Sequence, residues 1–535
     1  MRNIYLFISI LFVACSNPNS VYYHQALQNG RQANKGFIRC ERFVEAWLNV
    51  ADPVTGLIPR NLTNSRDYWN AWDAAADNYP FMVMTTSILR PDLFAGEMLE
   101  MLYTERKLTS RIGSLPDTWS FSKQNFLKKQ PDISEIIFGS AEYMKDGLLA
   151  LTEWLGKSPW LDRMIEILDD LYHELNVTPQ LVTKFFSYTQ GVEVNGDLLQ
   201  VLSRMYWITG NEDYLKRAIE IGDFYLNEDR LPTRVNKGLR LRDHGCEIIG
   251  GLSEIYATVH FVNPEKQKQW HPFMHEMIDC ILKKGRNDDG LFYNSINPVT
   301  GAVVDRKLAD TWGYTLNAVY TVYLLDHRIE HKEAVIKALR SIIKYKNYLW
   351  EPNSAGISSQ DGYADAIESA LNLFFFVPIK EAEDWINSEI KVLWNFQQPS
   401  GIIEGWHGDG NFARTTLMYC LWKTAGITVS NWRHDVIYGA AIHNKKVFIT
   451  ISTDDDWNGK IKLGTAMHRT NLNLPINYPR INQFQEWYPV NPKKKYRVKN
   501  LNTHKRYTVV GQQLIDGYEL FIEGQTPLHL CISEK

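Results

Sequence analysis

The feature that most constrains the fold is a helical pattern that returns throughout residues 36–430. In segments such as 38–48 and 144–154, apolar residues recur at i, i+3 and i+4, the spacing of one face of an α-helix. Short polar clusters open these segments, and their landmark residues lie 46 to 69 positions apart: Asp77, Asp146, Asp197, Glu247, Asp310, Asp365 and Asn411. Such an interval accommodates two helices of roughly 15 residues with their connections. The pattern therefore predicts helical hairpins that close into a toroid or stack into a solenoid.

The sequence changes character after residue 430. Segments 446–452 and 460–463 have the composition of strands and flank residues 454–459, which end in the hairpin signal Asn458-Gly459. Further short strand-like segments continue to the end of the chain, separated by Asn, Gly and Pro. We therefore expect a mainly α chain, with a toroid over residues 36–430 and a small antiparallel β-domain over residues 431–535.

Composition excludes several classes of protein. With 44% hydrophobic residues, 22% charged residues and no low-complexity tract, the chain is not intrinsically disordered. The net charge of −3, with scattered Lys and Arg, argues against a nucleic-acid partner. The 17 Trp residues suit a large core or a groove that stacks on the flat apolar faces of a ligand. The six cysteines are too sparse for a disulfide scaffold.

The first 15 residues predict export from the cytoplasm. Arg2 is followed by an apolar run over residues 4–13, which is too short to span a bilayer and is typical of a signal peptide. Ala14-Cys15 resembles a bacterial lipoprotein processing site, which implies a lipid on Cys15 and a linker over residues 16–35. A plain signal peptide with an incidental cysteine is the alternative. The expected location is the cell envelope, anchored to the outer membrane on its periplasmic or surface side.

Four helix openings carry a family resemblance: residues 242–247 (RDHGCE), 310–314 (DTWGY), 361–365 (DGYAD) and 406–410 (WHGDG). With the order of toroid first and β-domain second, they resemble the (α/α) toroid carbohydrate-active enzymes, which include six-hairpin glycosidases and polysaccharide lyases with a toroid and a sandwich. The resemblance implies an (α/α)6-type toroid, a β-sandwich and a sugar cleft at these openings. The chain is similar in particular to the ulvan oligosaccharide dehydratases of marine bacteria. This implies elimination, by a dehydratase or a lyase, on uronic-acid-containing and possibly sulfated oligosaccharides.

The opening around His244 offers a set of groups for elimination. Elimination from a uronic acid needs a base that removes the C5 proton and an acid that protonates the leaving oxygen at C4. It also needs a group that neutralises the carboxylate. His244 is the first candidate for proton transfer, Arg240 or Arg242 for the carboxylate, and Glu247 lies one helical turn from His244. Alternatively, Asp243 caps the helix and His244 is a structural histidine.

Two other openings contain further candidates. Glycines beside His407 allow a close approach of backbone to ligand, which makes His407 a second proton-transfer candidate, with Trp406 and Arg414 as binding residues. Tyr314, beside the aromatic platform of Trp312, is a candidate for protonating the leaving group. The alternatives are a glycine-rich turn in the first case and core aromatics in the second.

Glu193 and Asn195 precede a predicted helix and either bind sugar hydroxyls or form a plain helix start. Hydrolysis instead of elimination would use two carboxylates on either side of the bond. The candidates are Asp77, Glu193, Asp243, Glu247, Asp310, Asp361, Asp365, Glu368 and Asp409. Because capping also selects acids at helix starts, no pair stands out. The hydrolase alternative is a glucuronidase or an unsaturated-uronyl hydrolase, and a glycan-binding lipoprotein without catalysis is the third possibility.

Signals for metals and cofactors are weak. His271 and His275 have i, i+4 spacing but lack the Glu of a zinc protease, and residues 454–459 begin like a calcium loop without its bidentate Glu. The chain has no Walker A motif, no dinucleotide fingerprint after a strand and no nucleophile elbow. We therefore predict neither a metal nor a cofactor.

Overall fold

The computed structural model describes residues 19–235, 237–353, 355–356 and 358–535. Cys15 and the predicted signal peptide lie outside the described residues. Among the described residues, no helix is long and apolar enough to cross a bilayer.

Fourteen longer helices follow one another among the described residues up to Lys423. In chain order they are α1 (Ser20–Val50), α2 (Ala71–Asn78 and Tyr79–Leu89), α3 (Pro91–Leu93, Phe94–Met98 and Leu99–Thr109), α4 (Ile133–Glu142, Tyr143–Leu148 and Leu149–Leu155), α5 (Pro159–His173), α6 (Tyr188–Thr209), α7 (Glu212–Tyr225), α8 (Cys246–Val262), α9 (Pro264–Lys284), α10 (Trp312–Asp326), α11 (Ile329–Ser341), α12 (Gln360–Phe376), α13 (Lys380–Trp394) and α14 (Asn411–Lys423). Short helices also form at Pro179–Phe185, Ile342–Tyr345, Met467–Thr470 and Gly511–Asp516.

The even-numbered helices form a closed inner ring, in which each contacts the next and α14 returns to α2. They are buried on nearly all sides, as in α8, where burial runs almost unbroken from Cys246 to Val259. The odd-numbered helices bury only one face and surround the ring, which is why their sequences are more amphipathic.

The predicted toroid followed by an antiparallel β-domain is confirmed. The described residues contain seven inner helices, one more than the six-hairpin resemblance implies. The seventh is visible in the sequence, because each of the seven polar clusters belongs to a different inner helix. Six clusters lie at the start or in the first half of their helix, and residues 142–147 lie in the middle of α4.

Sixteen strands accompany the helices: β1 (Tyr68–Trp69), β2 (Ser110–Ile112), β3 (Leu115–Pro116), β4 (Trp119–Ser120), β5 (Asn125–Phe126), β6 (Leu239–Arg240), β7 (Tyr293–Ile296), β8 (Val303–Leu308), β9 (Thr428–Val429), β10 (Ile437–His443), β11 (Lys446–Ser452), β12 (Trp457–Lys462), β13 (Lys495–Asn500), β14 (Arg506–Val510), β15 (Tyr518–Ile522) and β16 (Leu528–Glu534). The C-terminal part has two antiparallel sheets, ordered β10-β11-β16-β13-β14 and β15-β12-β9.

Two local predictions are corrected. The hairpin expected at residues 454–459 does not form, because β11 pairs with β10 and β16 whereas buried Trp457 starts β12 in the other sheet. Residues 20–35, expected to belong to a linker, form the start of α1. They are ordered by packing on β10, where Gly30 and Gly439 let helix and strand backbones meet so closely that a Cβ at Gly30 would lie 2.8 Å from the strand backbone.

Between β12 and β13 the chain leaves the sheets and enters the ring. Residues 471–486, called here the plug segment, contain no helix or strand, yet most of them are buried or half-buried. The Arg480 guanidinium pairs with Glu153 of α4 at 2.6 Å, and the Tyr478 hydroxyl donates to Glu254 of α8 at 3.1 Å. The plug segment thus fills the centre of the ring from the C-terminal ends of the inner helices.

Candidate functional site

The inner helices all run in the same direction, so their N-terminal openings form one polar depression, called here the cup. Fourteen described carboxylates gather there: Asp73, Asp77, Glu142, Asp146, Glu193, Asp197, Asp243, Glu247, Asp310, Glu351, Asp361, Asp365, Glu368 and Asp409. Six cationic or protonatable side chains accompany them: Arg60, Lys145, Arg242, His244, His407 and Arg414. The cup therefore has a large excess of acids.

Burial resolves much of this excess by favouring the neutral acids. It raises the pKa of eight of the carboxyl groups: Asp77, Glu142, Asp197, Glu247, Asp310, Asp361, Asp365 and Asp409. The pKa reaches about 6 for Asp310, about 7 for Glu247 and about 8 for Asp77. The site therefore keeps several protonated acids near neutral pH, which suits it to proton transfer.

Lys145 ties three inner helices together. Its ammonium lies 2.9 Å from Asp146 of its own helix, 3.8 Å from Asp197 of α6 and 3.9 Å from Glu247 of α8. Because the Lys145 side chain is only 7% exposed, these carboxylates supply the compensation that a buried cation requires. Glu247, predicted to bind substrate, lies at this buried contact.

The two arginines that precede His244 differ in their surroundings. Arg242 lies 3.1 Å from Asp310 and 2.5 Å from Glu351, so its charge is already balanced. Arg240 is half-buried and has no ion-pair partner among the described residues. Of the predicted arginines, Arg240 is therefore the one whose charge is available to an anionic ligand.

Arg414 and Tyr314 belong to a buried network between α10, α12 and α14. The Arg414 guanidinium lies 2.6 Å from Asp365 and 2.9 Å from Glu368. The Tyr314 hydroxyl donates to the same two carboxylates at 3.0 and 2.6 Å, and burial raises its pKa well above the usual value. The structure therefore places both residues beneath the cup surface rather than on it, where the tyrosine would have to meet a leaving group.

His244 lies at the rim of the cup with 43% of its side chain exposed. Its Nδ1 contacts Glu193, and its Nε2 lies 3.0 Å from Asp243. Burial lowers the pKa of His244, but these two carboxylates outweigh it and raise the pKa well above its usual value. The resting imidazole is therefore protonated, which suits an acid rather than a base. Its left-handed φ of 65° is a strained conformation of the kind that clusters at functional sites.

His407 faces two acids of α2 across the cup. Its Nε2 lies 3.8 Å from Asp77 and 3.9 Å from Asp73, while its Nδ1 lies 2.9 Å from the Gly408 carbonyl. Burial lowers the pKa of His407, and the two aspartates raise it to about 9. Its neighbour Trp406 is 80% exposed, with the Arg60 guanidinium 5.5 Å from its ring. The predicted pair of His407 and Trp406 thus lines the cup.

Two other predicted binding residues do not face the cup. Asn195 is fully buried and its amide donates to the Tyr225 hydroxyl of α7 at 2.9 Å. Trp312 is fully buried in the hydrophobic core. Both predictions are corrected by helix geometry, since successive residues turn by about 100° and only some positions of an opening face the axis. Glu193 does reach the cup, through His244.

Asp77 and Asp146 form a pair that the sequence alone does not reveal. Both lie in π-helical turns, Ala71–Asn78 and Tyr143–Leu148, which contact each other. π-helical turns within α-helices are frequent at functional sites. Asp146 was visible in the sequence only as a landmark of the repeat, and nothing local distinguished it from the other acids.

Two groups of described residues have ligand atoms close enough to hold a metal ion, within 4.8 Å of one another. Asp73, Asp77 and His407 form one group in the cup. The other, His271, His275 and Asp326, lies outside the ring on α9 and α10. Both ring nitrogens of His275 there already have partners, at 2.9 Å from Asp326 and 3.0 Å from Arg328.

The sequence matches no protein-family model and no curated protein sequence. Among solved structures, the chain is similar to an α-1,6-mannanase, GH76A of Salegentibacter sp. HEL1_6, with 9% identity, a TM-score of 0.40 and coverage of 72% of this chain and 98% of that one. It is also similar to a glycosyl hydrolase of family 88 from Bacteroides vulgatus (10% identity, TM-score 0.36, coverage 53% and 89%) and to cellobiose 2-epimerase from Bacillus thermoamylovorans B4167 (12%, 0.39, 53% and 87%). These similarities concern the fold alone.

Proposed function

We propose that the protein is a carbohydrate-active enzyme that hydrolyses glycosidic bonds in the cup, with Asp77 as proton donor and Asp146 as ionised carboxylate. The difference between their surroundings carries the proposal. Burial, together with Asp146, Asp73 and Asp409, raises the pKa of Asp77 to about 8 against the opposing effect of His407. Asp146 instead contacts two donors, the Lys145 ammonium at 2.9 Å and the Asn482 amide at 3.0 Å.

Glycosidases need this division of roles. One carboxylic acid protonates the departing glycosidic oxygen, while a second, charged carboxylate activates water or attacks the sugar. Asp77 retains its proton at neutral pH, and two hydrogen-bond donors hold the Asp146 carboxylate in place. The pair supplies both roles from neighbouring inner helices.

The proposed substrate is an oligosaccharide that carries a uronic acid. Two observations support this class. Arg240 offers a guanidinium without an ion-pair partner in the described part of the chain. Trp406 offers an exposed ring against which the apolar face of a sugar can stack. The sequence of the first 15 residues supports a location in the cell envelope, with a lipid anchor on Cys15, as part of the same proposal.

Elimination by a dehydratase or a lyase is the second candidate. His244 and His407 favour it, because both are imidazoles whose pKa the nearby carboxylates raise, and such a group can protonate the C4 oxygen. Asp146 would then remove the C5 proton. Hydrolysis is preferred, because it uses both Asp77 and Asp146, the two acids whose surroundings differ.

Mass spectrometry of uronic-acid oligosaccharides, ulvan fragments included, tests the proposal. Hydrolysis produces fragments whose summed mass exceeds that of the substrate by one water. Fragments that sum to the substrate mass would establish a lyase, and loss of one water without chain shortening would establish a dehydratase. No change across the panel would reject both candidates and favour a glycan-binding protein.

A further inference from the structure

Asn482 of the plug segment lies against the cup from below. Its Nδ2 donates to the Asp146 carboxylate at 3.0 Å and to the Asp146 carbonyl at 3.2 Å. Its Oδ1 accepts from Arg414 at 3.0 Å, and its backbone N–H donates to Glu368 at 2.6 Å. One residue from the C-terminal part thus joins α4, α12 and α14 at the floor of the cup.

The orientation of this amide follows from its neighbours. A guanidinium can only donate, so the oxygen of Asn482 must face Arg414 and its NH2 group must face Asp146. Asn482 is 2% exposed, so water does not replace these contacts. Its φ of 60° is left-handed, a conformation that Asn and Asp tolerate better than other residues with a Cβ.

Other residues of the plug segment fix the position of Asn482 along the axis of the ring. Arg480 forms a two-point contact with Glu153, at 2.6 and 3.2 Å. Its backbone carbonyl accepts from the Asn372 amide at 2.9 Å. These anchors lie towards the C-terminal ends of α4 and α12, so a shift of Asn482 would require breaking buried contacts.

We infer that Asn482 is a positioning residue for Asp146, and that the C-terminal part takes part in catalysis through the plug segment. The inference rests on the proposed function, in which Asp146 acts as an anion. The Asn482 amide donates to Oδ1 of this carboxylate, and the Lys145 ammonium lies 2.9 Å from Oδ1 and 3.0 Å from Oδ2, so the two donors together fix the direction of Asp146.

Asn482→Asp tests the inference with little change in shape. The new carboxylate keeps the contact with Arg414 but faces Asp146 with a like charge instead of an N–H donor. We expect kcat to fall at least about tenfold. Because a nearby anion makes Asp146 harder to ionise, the acidic limb of the profile of kcat/KM against pH moves to higher pH. A residue with a merely structural role would leave this limb in place.

Asn473→Asp is the matched control. Asn473 lies in the same plug segment, with a left-handed φ of 56°, but is exposed and contacts the end of α6 rather than the cup. The same chemical change there should leave kcat and the pH profile as in the wild type. Equal effects of both substitutions would mean that any new charge on the plug segment disturbs the protein, and would overturn the inference.

The exchanged pair, Asn482→Asp with Asp146→Asn, separates the contact from the function. It restores one amide and one carboxylate at the same contact, so the Tm lost in Asn482→Asp should return while activity should not. Failure of the Tm to return, or full activity and an unshifted profile in Asn482→Asp, would overturn the inference. A wild-type protein inactive on all glycans, with the Tm restored in the exchanged pair, would instead reject the proposed function and retain the contact.

Discussion

The ring contains two layers of buried charge that follow different rules. In the lower layer, each arginine meets one glutamate: Arg204 contacts Glu254 at 2.6 and 2.8 Å, and Arg480 contacts Glu153 at 2.6 and 3.2 Å. In the cup, described carboxylates outnumber cations, and burial raises the pKa of many of them. Each matched pair is sensitive to loss of one partner, because the other charge is then buried without compensation, whereas the unbalanced acids of the cup can hold protons for chemistry.

The two layers should respond differently to substitution. Removing a charge in the cup should mainly affect turnover, since the remaining acids can exchange protons to restore balance. Removing a charge in the lower layer leaves its partner buried and uncompensated, so the loss should appear in stability.

Asp146→Asn should reduce kcat by roughly a thousandfold or more, because the amide can neither accept a proton nor attack. The change in Tm should be small, since Lys145 keeps Asp197 and Glu247 as neighbours. Steady-state kinetics and thermal unfolding measure both quantities. Asp213→Asn, on the exposed start of α7, is the matched control and should resemble the wild type. Wild-type turnover in Asp146→Asn would remove this residue from the mechanism.

Arg480→Met should have the opposite effect, a loss of stability rather than a specific loss of turnover. It leaves Glu153 buried without its partner and should lower the free energy of unfolding by about 3–5 kcal/mol. Denaturant unfolding measures this loss. Adding Glu153→Leu removes the stranded charge and should recover most of the stability. If the single substitution were neutral, the lower layer would not be the structural layer.

Stability should fall as pH rises from about 5 to 9. In the unfolded chain the acids ionise near pH 4, whereas in the fold Asp310, Glu247 and Asp77 retain protons up to about pH 6, 7 and 8. The folded protein therefore binds more protons over this range, and each carboxyl contributes stability that is lost as pH passes its folded pKa. His407, with a pKa of about 9, acts in the same direction.

Thermal unfolding across this pH range checks the prediction, with a Tm roughly 5 °C or more lower at pH 9 than at pH 5. Asp77→Asn mimics the protonated acid and should make the decline shallower. A Tm that rises steadily with pH would show that the cup acids are ionised in the fold.

Trp406→Ala should have the smallest effect. The ring is 80% exposed, so its removal should leave Tm unchanged, while loss of a stacking surface should raise KM by roughly 2- to 10-fold. Phe521→Ala is a suitable control, because Phe521 is 67% exposed on β15, away from the cup. Kinetics on the longest cleaved oligosaccharide measures the difference.

The fold was largely predictable, because helical periodicity and the seven polar clusters are local signals. The seven landmark residues mark one inner helix each, and the sequence contains all of them. Their partners were not predictable, since which of many acids stays protonated depends on burial and on neighbours from other helices.

The plug segment was the least predictable part. Asn482 contacts Asp146 across 336 positions of sequence, from a stretch without helix or strand periodicity. The prediction that Trp312 and Asn195 bind substrate was wrong for a related reason. A motif shows which residues open a helix but not which of them face the axis of the ring.

The most direct test of the account is product analysis in ¹⁸O-water with the wild type, Asp77→Asn and Asp146→Asn. The account predicts that the wild type cleaves a uronic-acid oligosaccharide into fragments that together gain one water, with the label in one fragment, and that both variants lose this activity. Products that gain no label, or variants that cleave as fast as the wild type, would contradict hydrolysis by the Asp77–Asp146 pair.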